Sequence, residues 1–218
     1  MAKTSKRKFL KVSIRFIAGI VLFTGPLFSR VRLVYAKIQK IILPKNFPRK
    51  DLIDKNPANL DTRNLNLTPL DEFETMGITN HKTNLNTWRL RIEGRVERPL
   101  YLTYSQILAL PAFERNVLLI CPGFFANNGR WKGISLIPLL QKAKIKDGAT
   151  LVSFSGPEGI FEKSGSFHLK EVLSNKIFLA YGVNGKPLPI KHGFPLRVVA
   201  QGHYGSYWVK YLYKITVA

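Results

Sequence analysis

Asn116-Val117-Leu118-Leu119-Ile120-Cys121-Pro122-Gly123-Phe124-Phe125 leads an apolar run straight into a cysteine, and Trp131-Lys132-Gly133 begins ten residues after it. Such a run, too short for a helix of usual length, has the pattern of a buried strand, and this one delivers Cys121 at its end. A thiolate at a fixed strand end, stiffened by Pro122 and flanked by aromatic residues, suits a soft metal. The residues alone leave two other readings open. A lone cysteine after apolar residues is more often a small buried hydrophobe. It can also be a nucleophile served by His168, His192 or His203, although no familiar spacing links them.

Outward from this strand the pattern is mixed. Upstream, residues 89–96 alternate polar and apolar, Arg98-Pro99 marks a turn, and a short helix is expected after Thr103 with Ile107, Leu108 and Leu110 facing inward. Downstream, Ser135 is placed to cap a helix carrying Leu136, Leu139, Leu140 and Ala143. Residues 150–155 and 177–181 have strand character, with a helix expected near 167–173 between them. Asn184-Gly185 predicts a tight turn, and residues 196–200 and 210–217 supply the last strands. The expected fold class is α+β, mixed β-sheets with short helices, whose Gly- and Pro-rich loops are built around a ligand. Residues 37–68 show no periodicity and read as a linker or extended lead-in, leaving 69–218 as the domain.

The net charge of +21 is unevenly spread: the first fifty residues hold thirteen Lys or Arg and no Asp or Glu. Residues 1–36 read as a signal peptide or membrane anchor. Their apolar segment, residues 16–28, covers about 20 Å as a helix against a hydrocarbon core of about 30 Å, which fits a signal peptide better than a span. Val34-Tyr35-Ala36 is a passable cleavage site, and Ser5-Lys6-Arg7-Lys8-Phe9-Leu10-Lys11 resembles the twin-arginine export motif with Lys6 in place of its first arginine. A basic arm lying on a membrane or on nucleic acid is the competing reading. The rest of the chain is also basic and favours anionic ligands such as phosphate groups. A single cysteine excludes an intramolecular disulfide, a Cys-rich zinc site, an iron–sulfur cluster and a C-x-x-C-H haem attachment. Any redox chemistry therefore needs electrons from elsewhere.

Five stretches, taken in order, resemble the molybdopterin-binding domain of the sulfite oxidase family. They are Pro69-Leu70-Asp71-Glu72-Phe73-Glu74-Thr75; Trp88-Arg89-Leu90 through Gly94 to Glu97-Arg98-Pro99; Cys121-Pro122-Gly123 with Trp131 and Gly133; residues 179–197, from Leu179-Ala180-Tyr181 to His192-Gly193-Phe194-Pro195-Leu196-Arg197; and Tyr204-Gly205 with Trp208-Val209-Lys210. The likeness is nearest to the compact form found in the periplasmic protein-methionine-sulfoxide reductase catalytic subunit. It implies a sulfite oxidase-type molybdopterin-binding fold and a molybdenum–molybdopterin cofactor whose metal is ligated by Cys121. It further implies that His192, Arg197, Trp208, Val209 and Lys210 hold the cofactor. Asp71, Glu74 and Thr75 fall on an earlier cofactor-contacting stretch, with Asp71 in place of a more usual Asn, and Gly156 would contribute through its backbone.

The implied reaction is two-electron oxygen-atom transfer, expected as periplasmic reduction of an S-oxide on a small molecule or protein. Electrons would come from a separate partner, a membrane haem protein or a cytochrome, and no nucleic-acid partner is expected. A sulfite-type oxidase is the alternative, made less favoured by the lack of a C-terminal dimerisation domain; a metal-free binding module of the same fold is another. Physically, Arg197 and Lys210 can donate charge-assisted hydrogen bonds to a cofactor phosphate, and Gly202 and Gly205 can contribute to an anion-binding nest. Tyr204, Tyr207 and His203 are the candidates for the remaining pocket wall.

Overall fold

A computed structural model of the chain describes residues 40–157 and 163–218. The expected signal or anchor, residues 1–36, lies outside the described residues; among those described, no helix is long and apolar enough to cross a membrane.

The described residues open with a two-stranded parallel pair, β1 (Ile41–Ile42) and β2 (Leu60–Asp61). Next come β3 (Leu90–Gly94), β4 (Leu100–Leu102), α1 (Tyr104–Leu108), β5 (Ala112–Cys121), β6 (Phe125–Ser135) and α2 (Ile137–Ala143). The remainder is β7 (Leu151–Ser155), β8 (Ser164–His168), α3 (Leu169–Leu173), β9 (Ile177–Val183), β10 (Lys186–Pro187), β11 (Arg197–Ala200) and β12 (Lys214–Val217). One five-stranded sheet runs β10-β9-β6-β5 with β11 also paired to β9; the other runs β4-β3-β12-β7-β8. In the second sheet β12 is parallel to β3 and antiparallel to β7.

Local chemistry explains the elements. Thr103 and Gln106 form a reciprocal capping box on α1, which ends after five residues, so Ile107 is buried while Leu108 faces solvent rather than inward. The Ser135 Oγ accepts from the Ile137 N–H at 3.2 Å, and Leu139, Leu140 and Ala143 of α2 turn inward. Asn184 and Gly185 both take positive φ, 51° and 76°, as the tight β9–β10 turn requires. The helix expected near 167–173 is shorter: Phe167 and His168 finish β8, where Phe167 pairs with Val152.

The apolar run on β5 is uninterrupted because both of its faces are covered. Val117 and Leu119 point into the main core, while Leu118 and Ile120 pack with Leu43, Leu52, Leu60, Leu65 and Ala126 in a second cluster. Residues 40–68 are thus poor in regular structure, as their aperiodic sequence implies, yet they form the outer cover of the strand that carries Cys121. Asn128, buried on β6, fastens this cover: its amide nitrogen donates to the Leu65 and Asn66 carbonyls at 3.0 and 3.1 Å, and its N–H donates to the Thr68 hydroxyl at 3.0 Å.

Candidate active site

β5 ends at Cys121, which is partly buried, and the turn before β6 closes with the Phe124 N–H donating to the Cys121 carbonyl at 3.0 Å. The short turn Gly205–Tyr207 crosses over the sulfur. A Cβ at Gly205 would stand 2.5 Å from Cys121 Sγ and 3.0 Å from Leu119 Cδ1, so only glycine admits this approach. Three amides near the anion nest expected from Gly202 and Gly205 are already engaged. The N–H groups of His203, Tyr207 and Trp208 already donate to the carbonyls of Ala200, Tyr204 and Gly205.

Three cations act on the thiol. Burial pushes the Cys121 thiol up from its ordinary range, while Lys163, Arg197 and Lys210 pull it down, Lys163 most strongly of the three. Arg197 opens β11 at 3% exposure, its guanidinium lying 5.0 Å from the Trp131 ring and 5.3 Å from the Trp208 ring. It donates to the His192 carbonyl at 3.0 Å, and burial lowers it to about 10. Buried charge is costly unless paired, and here the two indole faces offset part of that cost. Lys210 is brought to about 8 by burial and by the charges of Arg197 and Lys163. Its ammonium donates to Thr75 Oγ1 at 3.1 Å, to the Lys191 carbonyl at 3.1 Å and to the Ile78 carbonyl.

His192 ends the turn Ile190–His192 at 1% exposure. Burial, reinforced by Arg197, Lys191 and Lys210, drops its imidazole to about 3, so it is neutral at physiological pH. Its Nε2 and the Nε of Arg197 are buried with no hydrogen-bond partner among the described residues. Two such atoms beside a cluster of cations are what a ligand-binding site looks like before its ligand is counted.

The other residues singled out from sequence fall around this cluster. Thr75 reaches Lys210 because Asn127, fully buried on β6, grips the preceding residue: its amide donates to the Glu74 carbonyl at 2.8 Å and accepts from the Glu74 N–H at 3.3 Å. The Glu74 side chain itself is exposed, as is Asp71 on the turn Leu70–Glu72. Gly156 is buried beside Lys210, and its N–H is already given to the Lys163 carbonyl at 2.9 Å. Trp208 and Val209 are core residues: Trp208 walls Arg197, and the Val209 carbonyl accepts from Val198 at 2.8 Å. His168 sits at the end of β8, while His203 pairs with Glu171. Neither is among the charges acting on Cys121, so the thiol–histidine nucleophile gains no support.

Lys163, Asn127 and the close approach of Gly205 were not evident from sequence. Lys163 and Lys210 open onto a cleft of about 300 Å³ walled by Ile78, Gly156, Pro157 and Tyr211. A larger cleft of about 570 Å³, with His81, Arg89 and Arg91 on its walls, shares Pro157 and Tyr211 with it among the described residues. Cys121 is not among the residues that line either cleft; the smaller one is linked to it through Lys163 and Lys210, two of the three cations that act on the sulfur. Among the described residues no group of three His, Cys, Asp or Glu converges, and Cys121 offers one soft donor to a metal bound here.

The family model for the oxidoreductase molybdopterin binding domain matches residues 76–218. The chain belongs to this family. As a molybdopterin-binding family member it is 31% identical over 117 residues to the uncharacterized oxidoreductase YuiH of Bacillus subtilis, covering 53% of this chain and 58% of YuiH. It is 32% identical over 166 residues to NADH nitrate reductase 1 of Arabidopsis thaliana, covering 62% of this chain and 18% of that protein. The crystal structure of the sulfane dehydrogenase SoxCD from Paracoccus pantotrophus superposes with a TM-score of 0.59 at 25% identity, over 63% of this chain and 39% of that one. The chain therefore spans just over half the length of YuiH and under a fifth of the nitrate reductase. The α+β, sulfite oxidase-type fold and the molybdenum–molybdopterin cofactor that the sequence resemblance implied are borne out. The residues present suit that group: one thiolate donor, three surrounding cations and two buried polar atoms awaiting partners.

Proposed function

We propose that this domain performs two-electron oxygen-atom transfer at a molybdenum held by Cys121, acting as a reductase of S-oxide-type substrates. In that reaction the sulfur–oxygen bond breaks, two electrons and two protons are consumed, and the oxygen leaves as water. The cofactor supplies the redox and oxo chemistry when bound, and the protein supplies the ligand, the shape and the electrostatics. Cys121 contributes its thiolate. Arg197 and Lys210 balance the anionic cofactor, the first rigidly from its slot between two indoles, the second on the Thr75 side. His192, neutral throughout the physiological range, is suited to hydrogen-bond a pterin or phosphate oxygen without adding charge. Gly156 borders the cleft that Lys210 lines, Thr75 bonds that lysine and follows Glu74, and Trp208 and Val209 act by holding Arg197 and the strand register. The convergence of Lys163, Arg197 and Lys210 on one thiol carries this reading.

Electrons come from an external donor, a membrane haem protein or a cytochrome in this proposal, and the basic, apolar leader directs the domain to the periplasm as an exported or anchored protein. The test is Cys121→Ser, produced with the cofactor pathway active. Molybdenum, about one per chain in the parent, is expected to be lost while the fold persists by circular dichroism; undiminished metal would remove the ligand assignment.

A further inference from the structure

The larger cleft, about 570 Å³, has the size of a small-molecule site, for which about 300–1,000 Å³ is usual. None of Lys163, Arg197 and Lys210 lines it, and the proposed reaction makes no use of it. Strand alternation builds its cationic wall: Arg89 and Arg91 alternate with the buried Leu90 and Ile92, so both lie on the outer side of the chain at β3. Tyr101 of β4 pairs with Arg91 on one flank and Lys214 of β12 on the other. Trp88, Tyr101 and Tyr213 bring aromatic surface to the same walls. The Tyr213 ring lies 5.1 Å from the Arg91 guanidinium and 5.9 Å from the Lys214 ammonium.

The arginines keep open donors. Arg89 donates through Nη1 to the Asn86 and Trp88 carbonyls at 2.9 and 2.7 Å, which fixes the side chain. Its Nε–Nη2 edge, the fork that grips a carboxylate or phosphate, has no partner among the described residues. Arg91 rests on the Tyr213 ring, and no side-chain hydrogen bond engages it among the described residues. There, too, no carboxylate forms an ion pair with Arg89, Arg91 or Lys214. An open guanidinium edge draws an anion, and the ring faces beside it favour a flat partner.

We infer that this cleft binds a small anion carried on a flat ring, with the size and chemistry of a mononucleotide. The site is independent of the reaction proposed above. It shares Pro157 and Tyr211 with the smaller cleft, so the test must separate it from the cofactor.

The probe is adenosine monophosphate, titrated calorimetrically into the full chain, both molybdenum-loaded and cofactor-free. Both forms are expected to bind one molecule per chain, and adenosine and inorganic phosphate to bind at least roughly tenfold more weakly. Arg91→Gln should weaken the nucleotide roughly ten- to a hundredfold, as one charge-assisted hydrogen bond warrants, and leave adenosine unchanged. Tyr101→Ser, at a side chain 61% exposed and so outside the core, should weaken nucleotide and adenosine alike while sparing phosphate. Molybdenum content is expected to match the parent in both variants. No binding of the nucleotide, or parental affinity in Arg91→Gln, overturns the site. Phosphate binding as tightly as the nucleotide also overturns it, by reducing the cleft to a plain anion patch. Loss of molybdenum from Arg91→Gln, or binding by the cofactor-free protein alone, overturns it by giving the cleft to the cofactor.

Discussion

Gly205→Ala puts the close approach at the thiol to a quantitative test. The added methyl would sit 2.5 Å from Cys121 Sγ, 3.0 Å from Leu119 Cδ1 and 3.4 Å from the Ile120 carbonyl oxygen. Ordinary non-bonded carbon contacts lie at about 3.5–4.0 Å, so the sulfur must retreat by about 1 Å or more. The φ of Gly205 lies outside the left-handed region, so alanine suffers no backbone strain there and the whole effect is steric. The cysteine has a single side-chain torsion, and rotating it away is the cheapest escape. Destabilisation is therefore modest, about 1–2 kcal/mol, or roughly 2–8 °C in Tm for a domain of this size. The metal site has no such tolerance, since ligand distances must hold to about 0.2 Å. Molybdenum per chain by inductively coupled plasma mass spectrometry should fall to a small fraction of the parent while the thermal transition stays cooperative. A Gly205→Ala protein with the parent's metal content would refute the claim that Sγ occupies a metal-ligating position under that turn.

Two further outcomes concern the cofactor-free protein. His192 has a folded-state value of about 3 against an ordinary 6.5, so the unfolded chain binds the extra proton between these values and stability is lost as pH falls through that window. His192→Gln should flatten the acid limb of a urea-stability profile by up to about 1.4 kcal/mol per pH unit; an unchanged slope between pH 6 and pH 4 would contradict a buried neutral imidazole. Asn128→Ala removes the side-chain donor to Leu65 and Asn66, at about 1–3 kcal/mol. The lead-in should then open first, with trypsin cutting after the exposed Lys45, Lys50, Lys55 or Arg63 well before the sheets unfold; parental resistance to trypsin would argue that the Leu43–Leu65 cluster holds the cover unaided.

The sequence was most legible where one chemical demand dominated. The apolar run at residues 117–120 could only be a buried strand, and it placed Cys121 correctly at the strand end. Thr103 and Asn184-Gly185 announced their cap and turn because they act on backbone close by, whereas Ser135 ends β6 and bonds the Ile137 N–H while Leu136 takes the N-cap position of α2. Long-range contacts left weaker traces. Asn127-Asn128-Gly129 has the composition of a turn, yet it lies within β6, where the side-chain nitrogens of both asparagines donate to carbonyls of residues 65–74, more than fifty positions earlier. Lys163 is one lysine among many in a basic chain, and nothing in its neighbours reveals that the Gly205 carbonyl awaits it across forty-two positions. Gly205 reads as part of an anion-binding nest, whereas its evident use is the space left by an absent Cβ. The family resemblance supplied the grouping of His192, Arg197 and Lys210, which local pattern could not.

The order β4-β3-β12-β7-β8 has a consequence for biosynthesis. Ribosomes release strands in sequence, so β3 and β7 emerge with a vacant lane between them that only Lys214–Val217 can fill. The nascent chain thus exposes two unpaired edges late into translation, a state prone to misassociation. Lys210 and Tyr211 sit on the approach to that last strand, so the cleft they wall is completed only when the lane is filled. Cofactor loading is therefore scheduled after synthesis of the domain, not during it.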